Sequence, residues 1–151
     1  MNNFLKHWFG GFEVAINQLD QASRNSILGA CGKACSNSYT RQVFIDAKSD
    51  IKDDEEFFAA LKKTFSELDI ETIEQNRMYE IRYRFCGCDL VKNGFVNTPH
   101  LCECSRSSLL YNLESVWGEG HARVTLMESI LAGAPCCRFE VEHTPDEGEN
   151  A

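Results

Sequence analysis

The chain has 151 residues, 43% of them hydrophobic, which is enough for one domain with a sizeable core and too little for two ordinary ones. Lys and Arg number 15 against 23 Asp and Glu, a net charge of −8 that argues against binding along a phosphate backbone or docking on an anionic membrane. Neither nucleic acid nor membrane is therefore an expected partner. The opening MNNFLKHWFGGFEVAINQLD sets Asn, Lys, His and Glu among its apolar residues. It lacks the order of a secretory signal, and the expected location is the cytoplasm.

In chain order, residues 2–20 predict an amphipathic helix with Phe12, Ala15, Ile16 and Leu19 on its apolar side, and with Gly10-Gly11 interrupting or starting it. A second helix is expected from Asp20, carrying Ile27, Leu28, Cys31 and Cys35 on or near one face. Gly29 and Gly32 weaken its end, and Ser36, Asn37 and Ser38 read as loop formers. The segment DDEEFFAALKKTFSELD, residues 53–69, holds the clearest helix, expected over 53–68. Asp53 caps it with Glu56 three positions on, acids fill its first turn, and Phe57, Leu61, Phe65 and Leu68 make the buried stripe.

The period then changes to two. Tyr79, Ile81, Tyr83 and Phe85 alternate with Glu80, Arg82, Arg84 and Cys86, the pattern of a half-buried strand. Residues 87–104 read as an irregular connection, after which Ser105 caps a helix whose apolar side is Leu109, Leu110, Leu113, Val116 and Trp117 and whose end lies at Gly118 and Gly120. Residues 122–132 and 136–143 predict a hairpin that turns around Ala132-Gly133-Ala134-Pro135. Cys137, Phe139 and Val141 share one face of its second strand, with Cys136, Arg138, Glu140 and Glu142 on the other. The expected fold is α+β, a small antiparallel sheet of three or more strands packed against helices in a single domain over residues 1–142, with a polar tail over 143–151.

Eight cysteines fall in clusters: Cys31 and Cys35, Cys86 and Cys88, Cys102 and Cys104, Cys136 and Cys137. In a reducing compartment such clusters are metal sites, reactive thiols or buried small hydrophobes rather than structural disulfides. Cys86, Cys88, Cys102 and Cys104 are two C-x-C pairs around a thirteen-residue insert, and they supply the four thiolates of a closed tetrahedral zinc site. Cys31 and Cys35 can substitute for either pair if the N-terminal helices pack there. An iron–sulfur cluster is the lesser alternative. His100, two residues before Cys102, is a candidate fourth ligand or base; against each assignment stands the plain alternative of packing in the core or exposure in a loop. Cys137 reads as a core residue in phase with Phe139. No phosphate loop, dinucleotide fingerprint, zinc-protease pair or nucleophile elbow is present, so the catalytic and cofactor-binding residues stay unassigned.

The helical region ending in CGKAC and the closing SILAGAPCCRFEV, with Gly133 followed by Cys136-Cys137-x-Phe139, resemble domains of the 4-vinyl reductase type. They also resemble the related family of L-2-amino-thiazoline-4-carboxylic acid hydrolase. The resemblance covers roughly residues 78–142, with weaker support from 1–35, and Cys102 and Cys104 fall where that group places a cysteine at a loop-to-helix junction. Cys86 and Cys88 are extra to the pattern. The resemblance implies an α+β domain with a pocket for a small hydrophobic or sulfur-containing ligand between helices and sheet, and metal-binding cysteines in some members. Three functions follow as expectations: a ligand- or metal-binding domain, a small hydrolase using a thiol or metal-bound water, and a structural or interaction domain, with a second copy of the chain as a candidate partner.

Overall fold

The computed structural model describes residues 3–144. Helices α1 (Asn3–Gln18), α2 (Gln21–Cys35), α3 (Arg41–Lys48) and α4 (Asp54–Thr64) come first, followed by the hairpin of β1 (Leu68–Glu74) and β2 (Met78–Tyr83). The short α5 (Asp89–Lys92) and the long α6 (Cys102–Trp117) then lead to a second hairpin, β3 (Ala122–Glu128) and β4 (Cys137–His143). β2 pairs with β4, so the two hairpins form one antiparallel sheet in the order β1-β2-β4-β3. The fold is α+β, with helices backing a small antiparallel sheet.

Alternation builds the inner face of the sheet. Tyr79 lies opposite Val141 and Ile81 opposite Phe139, while Val124 and Leu126 extend the same rows on β3. These side chains meet Phe44 of α3, Phe57, Phe58 and Leu61 of α4, and Leu109 and Leu113 of α6 in the main core. The outer face is charged, with Arg82 beside Glu71 and Arg138 beside Glu80 and Glu128. A second apolar cluster joins Ile16 of α1, Leu28 of α2, Val96 and Leu101, with Cys88 and Cys104 at its edge. Among the described residues, no helix is long and apolar enough to cross a membrane.

Several elements depart from the sequence expectation. α1 runs unbroken through Gly10 and Gly11. Ser36–Thr40 is not a loop but a π-helical turn joining α2 to α3. Its Ser36 is buried and bonds the Ser108 hydroxyl at 2.6 Å, so α6 supplies the partner that a serine usually seeks by leaving a helix. α4 stops at Thr64, and Phe65 leaves the helix while its N–H still reaches Leu61 O. The predicted end of that helix, Leu68, instead opens β1, an edge strand whose residues 71–74 are exposed and carry no buried stripe. The predicted tail begins too early, because His143 ends β4 and Thr144 N–H bonds His121 O. The remaining tail residues, 145–151, lie outside the described residues.

The packing of α2 on α6 is set by Gly32. A Cβ there would stand 2.5 Å from the Cys104 carbonyl oxygen and 3.0 Å from Ser107 Cβ and Ser108 N. The glycine read as weakening the helix is the point at which two helix backbones touch.

Candidate functional site

α6 begins at Cys102, three residues before the expected Ser105 cap. A 3-10 turn, Pro99–Leu101, delivers the chain to it, and Thr98 holds that turn by accepting from His100 N–H and donating to Asn17 Oδ1 at 2.6 Å. Cys102 and Cys104 are therefore first-turn residues of a helix, two positions apart. Side chains at i and i+2 diverge by about 200° around a helix axis, so these thiols leave on opposite sides. Cys102 is buried toward β4, whereas Cys104 faces α2, where burial and then the neighbouring Cys35, Cys31 and Cys88 push its thiol up to about 12.

The expected Cys86–Cys88–Cys102–Cys104 set is accordingly not assembled. Among the described residues no three His, Cys, Asp or Glu side chains are grouped so that they could hold a metal ion. Cys31 and Cys35 are exposed on α2, and partial desolvation of its sulfur, then the charges of Cys88 and Asp89, raise the Cys35 thiol. Cys86 follows the end of β2, and Cys88 caps α5. Burial raises the Cys86 thiol as well. His100 is exposed on the 3-10 turn.

Cys102 meets a partner that the spacing did not indicate. Its sulfur and that of Cys137, the first residue of β4, are held by neighbouring residues of one turn, and each thiol shifts the titration of the other. The Ser129 hydroxyl lies 2.9 Å from Cys102 Sγ, and Ile130 N–H donates to Cys137 Sγ at 3.4 Å. The hydrogen bond from Cys102 lowers the Cys137 thiol to about 6 against the opposing effect of burial, and the Ile130 N–H assists. That same bond, with burial, raises Cys102 far above the usual thiol range. With Cys102 as the donor, a Cys137 thiolate would leave the proton on Cys102, and the Ser129 hydroxyl, 2.9 Å from Cys102 Sγ, could then donate to Cys102.

A bulge puts Ser129 there. Val124 and Leu126 face the core, so strict alternation would send residue 129 outward. The register slips between Leu126 and Glu128, parity reverses, and Ser129 is buried. Its carbonyl then accepts from Ala132 N–H and Ala134 N–H at 3.1 and 3.0 Å, and Gly133 closes the turn at φ 101°.

Ser129 also belongs to the wall of an open cleft of about 520 Å³ at the end of the β3–β4 hairpin. Pro99, Leu126, Met127 and Pro135 give it an apolar lining, and Glu128 adds a carboxylate.

At the far end of β4 a second polar group was missed. Asp54, one of the acids of the α4 first turn, is buried and accepts from Tyr79 O–H and His143 Nδ1, each at 2.8 Å. The Trp117 ring stacks on His143 at 3.9 Å. Burial and then Asp54 push the Tyr79 hydroxyl far up, so it stays a donor. This group clasps α4, β2, β4 and α6 together.

Compared with known proteins, the chain matches no family model and no curated protein.

Proposed function

We propose that the protein is a small-molecule-binding domain of the 4-vinyl reductase type, whose ligand enters the hairpin cleft and meets the Cys137 sulfur. The observation that carries this reading is the Cys102–Cys137 thiol pair beside Ser129, a residue shared with the cleft wall. The apolar lining favours an apolar ligand body, and a Cys137 sulfur that accepts from Ile130 N–H and whose thiol is lowered favours an electrophilic or sulfur-containing head. The α+β architecture agrees with the resemblance, which supplies the ligand class.

N-ethylmaleimide and the larger N-phenylmaleimide test it, with modified cysteines located by peptide mass. The aromatic probe is expected to label Cys137 with saturating kinetics, because a reversible cleft complex precedes the reaction. Met127→Glu, at the cleft rim, is expected to abolish saturation while leaving the N-ethylmaleimide rate within about twofold, since it charges the wall without touching the sulfur. Linear kinetics for both probes, with Cys137 labelled no faster than the exposed Cys31 and Cys35, would refute the reading.

A further inference from the structure

We propose that Cys102 and Cys137 form a two-thiol oxidation site, in which a hydroperoxide oxidises Cys137 and Cys102 resolves it to an intramolecular disulfide. This goes beyond the ligand reading and does not depend on it.

The geometry carries the inference in three ways. One turn serves both sulfurs, although one begins α6 and the other begins β4: Ser129 Oγ lies 2.9 Å from Cys102 Sγ, and the N–H of the next residue, Ile130, donates to Cys137 Sγ at 3.4 Å. A pair so placed has only to close to a bond of about 2.05 Å, and both residues lie at element starts, where small backbone adjustments are absorbed most easily. Access to the two differs in the required sense. Cys137 is partly exposed at the hairpin end, whereas Cys102 is buried behind it, so an oxidant in solution reaches Cys137 first. The donors around them also suit the roles. Ile130 N–H holds the Cys137 sulfur in place, and the Ser129 hydroxyl, 2.9 Å from Cys102 Sγ, can support the thiolate that Cys102 becomes as it attacks. The lowered Cys137 thiol agrees with this order of events.

The chemistry balances. The Cys137 thiolate attacks one peroxide oxygen; an S–O bond forms, the O–O bond breaks, and the leaving alkoxide or hydroxide takes up a proton. Cys102 then attacks the sulfenic sulfur; the S–S bond forms, the S–O bond breaks, and hydroxide leaves as water with the Cys102 proton. Two thiols and one hydroperoxide give one disulfide, one water and one alcohol or second water, and two electrons pass from sulfur to oxygen. A dithiol reductant reverses the change.

The experiment uses the full chain, reduced, desalted and treated with equimolar hydrogen peroxide at neutral pH. Samples are quenched with N-ethylmaleimide and mapped as peptides under non-reducing conditions. The expected product is a linked Cys102–Cys137 peptide, about 2 Da lighter than the two reduced peptides together, lost again on adding dithiothreitol. In Cys102→Ser the disulfide is absent, and a 1,3-dione traps sulfenic acid at Cys137. In Cys137→Ser, Cys102 stays reduced. Cys104→Ser, on the opposite side of the helix, forms the disulfide as the wild type does. Should a serine variant fail to fold, the wild-type map decides alone. Linkage of Cys137 to any other cysteine, or full alkylation of both residues after the peroxide is consumed, overturns the proposal.

Discussion

Alanine in place of Gly32 probes the contact on which the placement of Cys104 and of the whole α2–α3 arm depends. The added methyl would lie 2.5 Å from Cys104 O, and reaching an ordinary contact near 3.4 Å requires a shift of about 0.9 Å (3.4 − 2.5). Two of its three close neighbours are α6 backbone atoms, which cannot turn aside as a flexible side chain can. Overpacking of this kind costs about 1–3 kcal/mol. Moving α2 outward also strains the buried Ser36–Ser108 bond one turn on, worth about 1 kcal/mol. Against these stands the gain of about 1 kcal/mol for alanine over glycine inside a helix. The net expectation is a loss of about 1–3 kcal/mol and, at about 2–4 °C per kcal/mol for a chain of this size, a fall in Tm on the order of 5 °C. Urea unfolding followed by circular dichroism measures it, with two other helical glycines, Gly29 of α2 and Gly10 of α1, as controls. A Cβ at Gly29 meets Ser107 Oγ at 3.7 Å, an ordinary contact, and one at Gly10 meets nothing within 4 Å, so both alanines should stabilise by about 0.5–1 kcal/mol. Gly32→Ala as stable as Gly29→Ala would refute the close approach of α2 and α6.

Leu61→Ala, at a fully buried site under the sheet, should lose about 2–5 kcal/mol in the same unfolding assay; a loss below about 1 would mean that α4 does not pack there. Tyr79→Phe removes a hydrogen bond to the buried Asp54 and should cost about 1.5–3 kcal/mol, while Asp54→Ala should cost more, because it also strands the Tyr79 hydroxyl and releases His143. Equal stability of wild type and Tyr79→Phe would count against the clasp. Iodoacetamide should alkylate Cys137 with a midpoint near pH 6, since the reactive thiolate exists above that pKa and is lost as pH falls through it. In Cys102→Ala the midpoint should move up toward about 8.5, and an unchanged profile would show that Cys102 does not hold the proton.

The parts legible in the sequence are those where one element reports its own buried face. The period of two in residues 78–83 marks β2, and the apolar spacing of Phe57 and Leu61 beneath an Asp53 cap marks α4. With the hairpin around Gly133 they suffice for an α+β fold, because amphipathicity is local and one-dimensional. β1 escaped because an edge strand with residues 71–74 exposed has almost no face to report, and Leu68 suited the preceding helix equally well. The clustering of cysteines was visible, but their pairing was not. Cys102 and Cys104 look like a chelating pair until a helix beginning at Cys102 sends them to opposite sides. Cys137 packs against the main core, as its phase with Phe139 indicates, but only the bulge at 126–128 and the 3-10 turn bring the buried Ser129 and the Ile130 N–H beside it. Gly32 likewise takes its role from Cys104, Ser107 and Ser108 on a distant helix, and Asp54 and His143 take theirs from each other, 89 positions apart in the chain. Spacing along a chain determines which way a side chain faces within its own element, and only the packing of elements on one another decides what it meets.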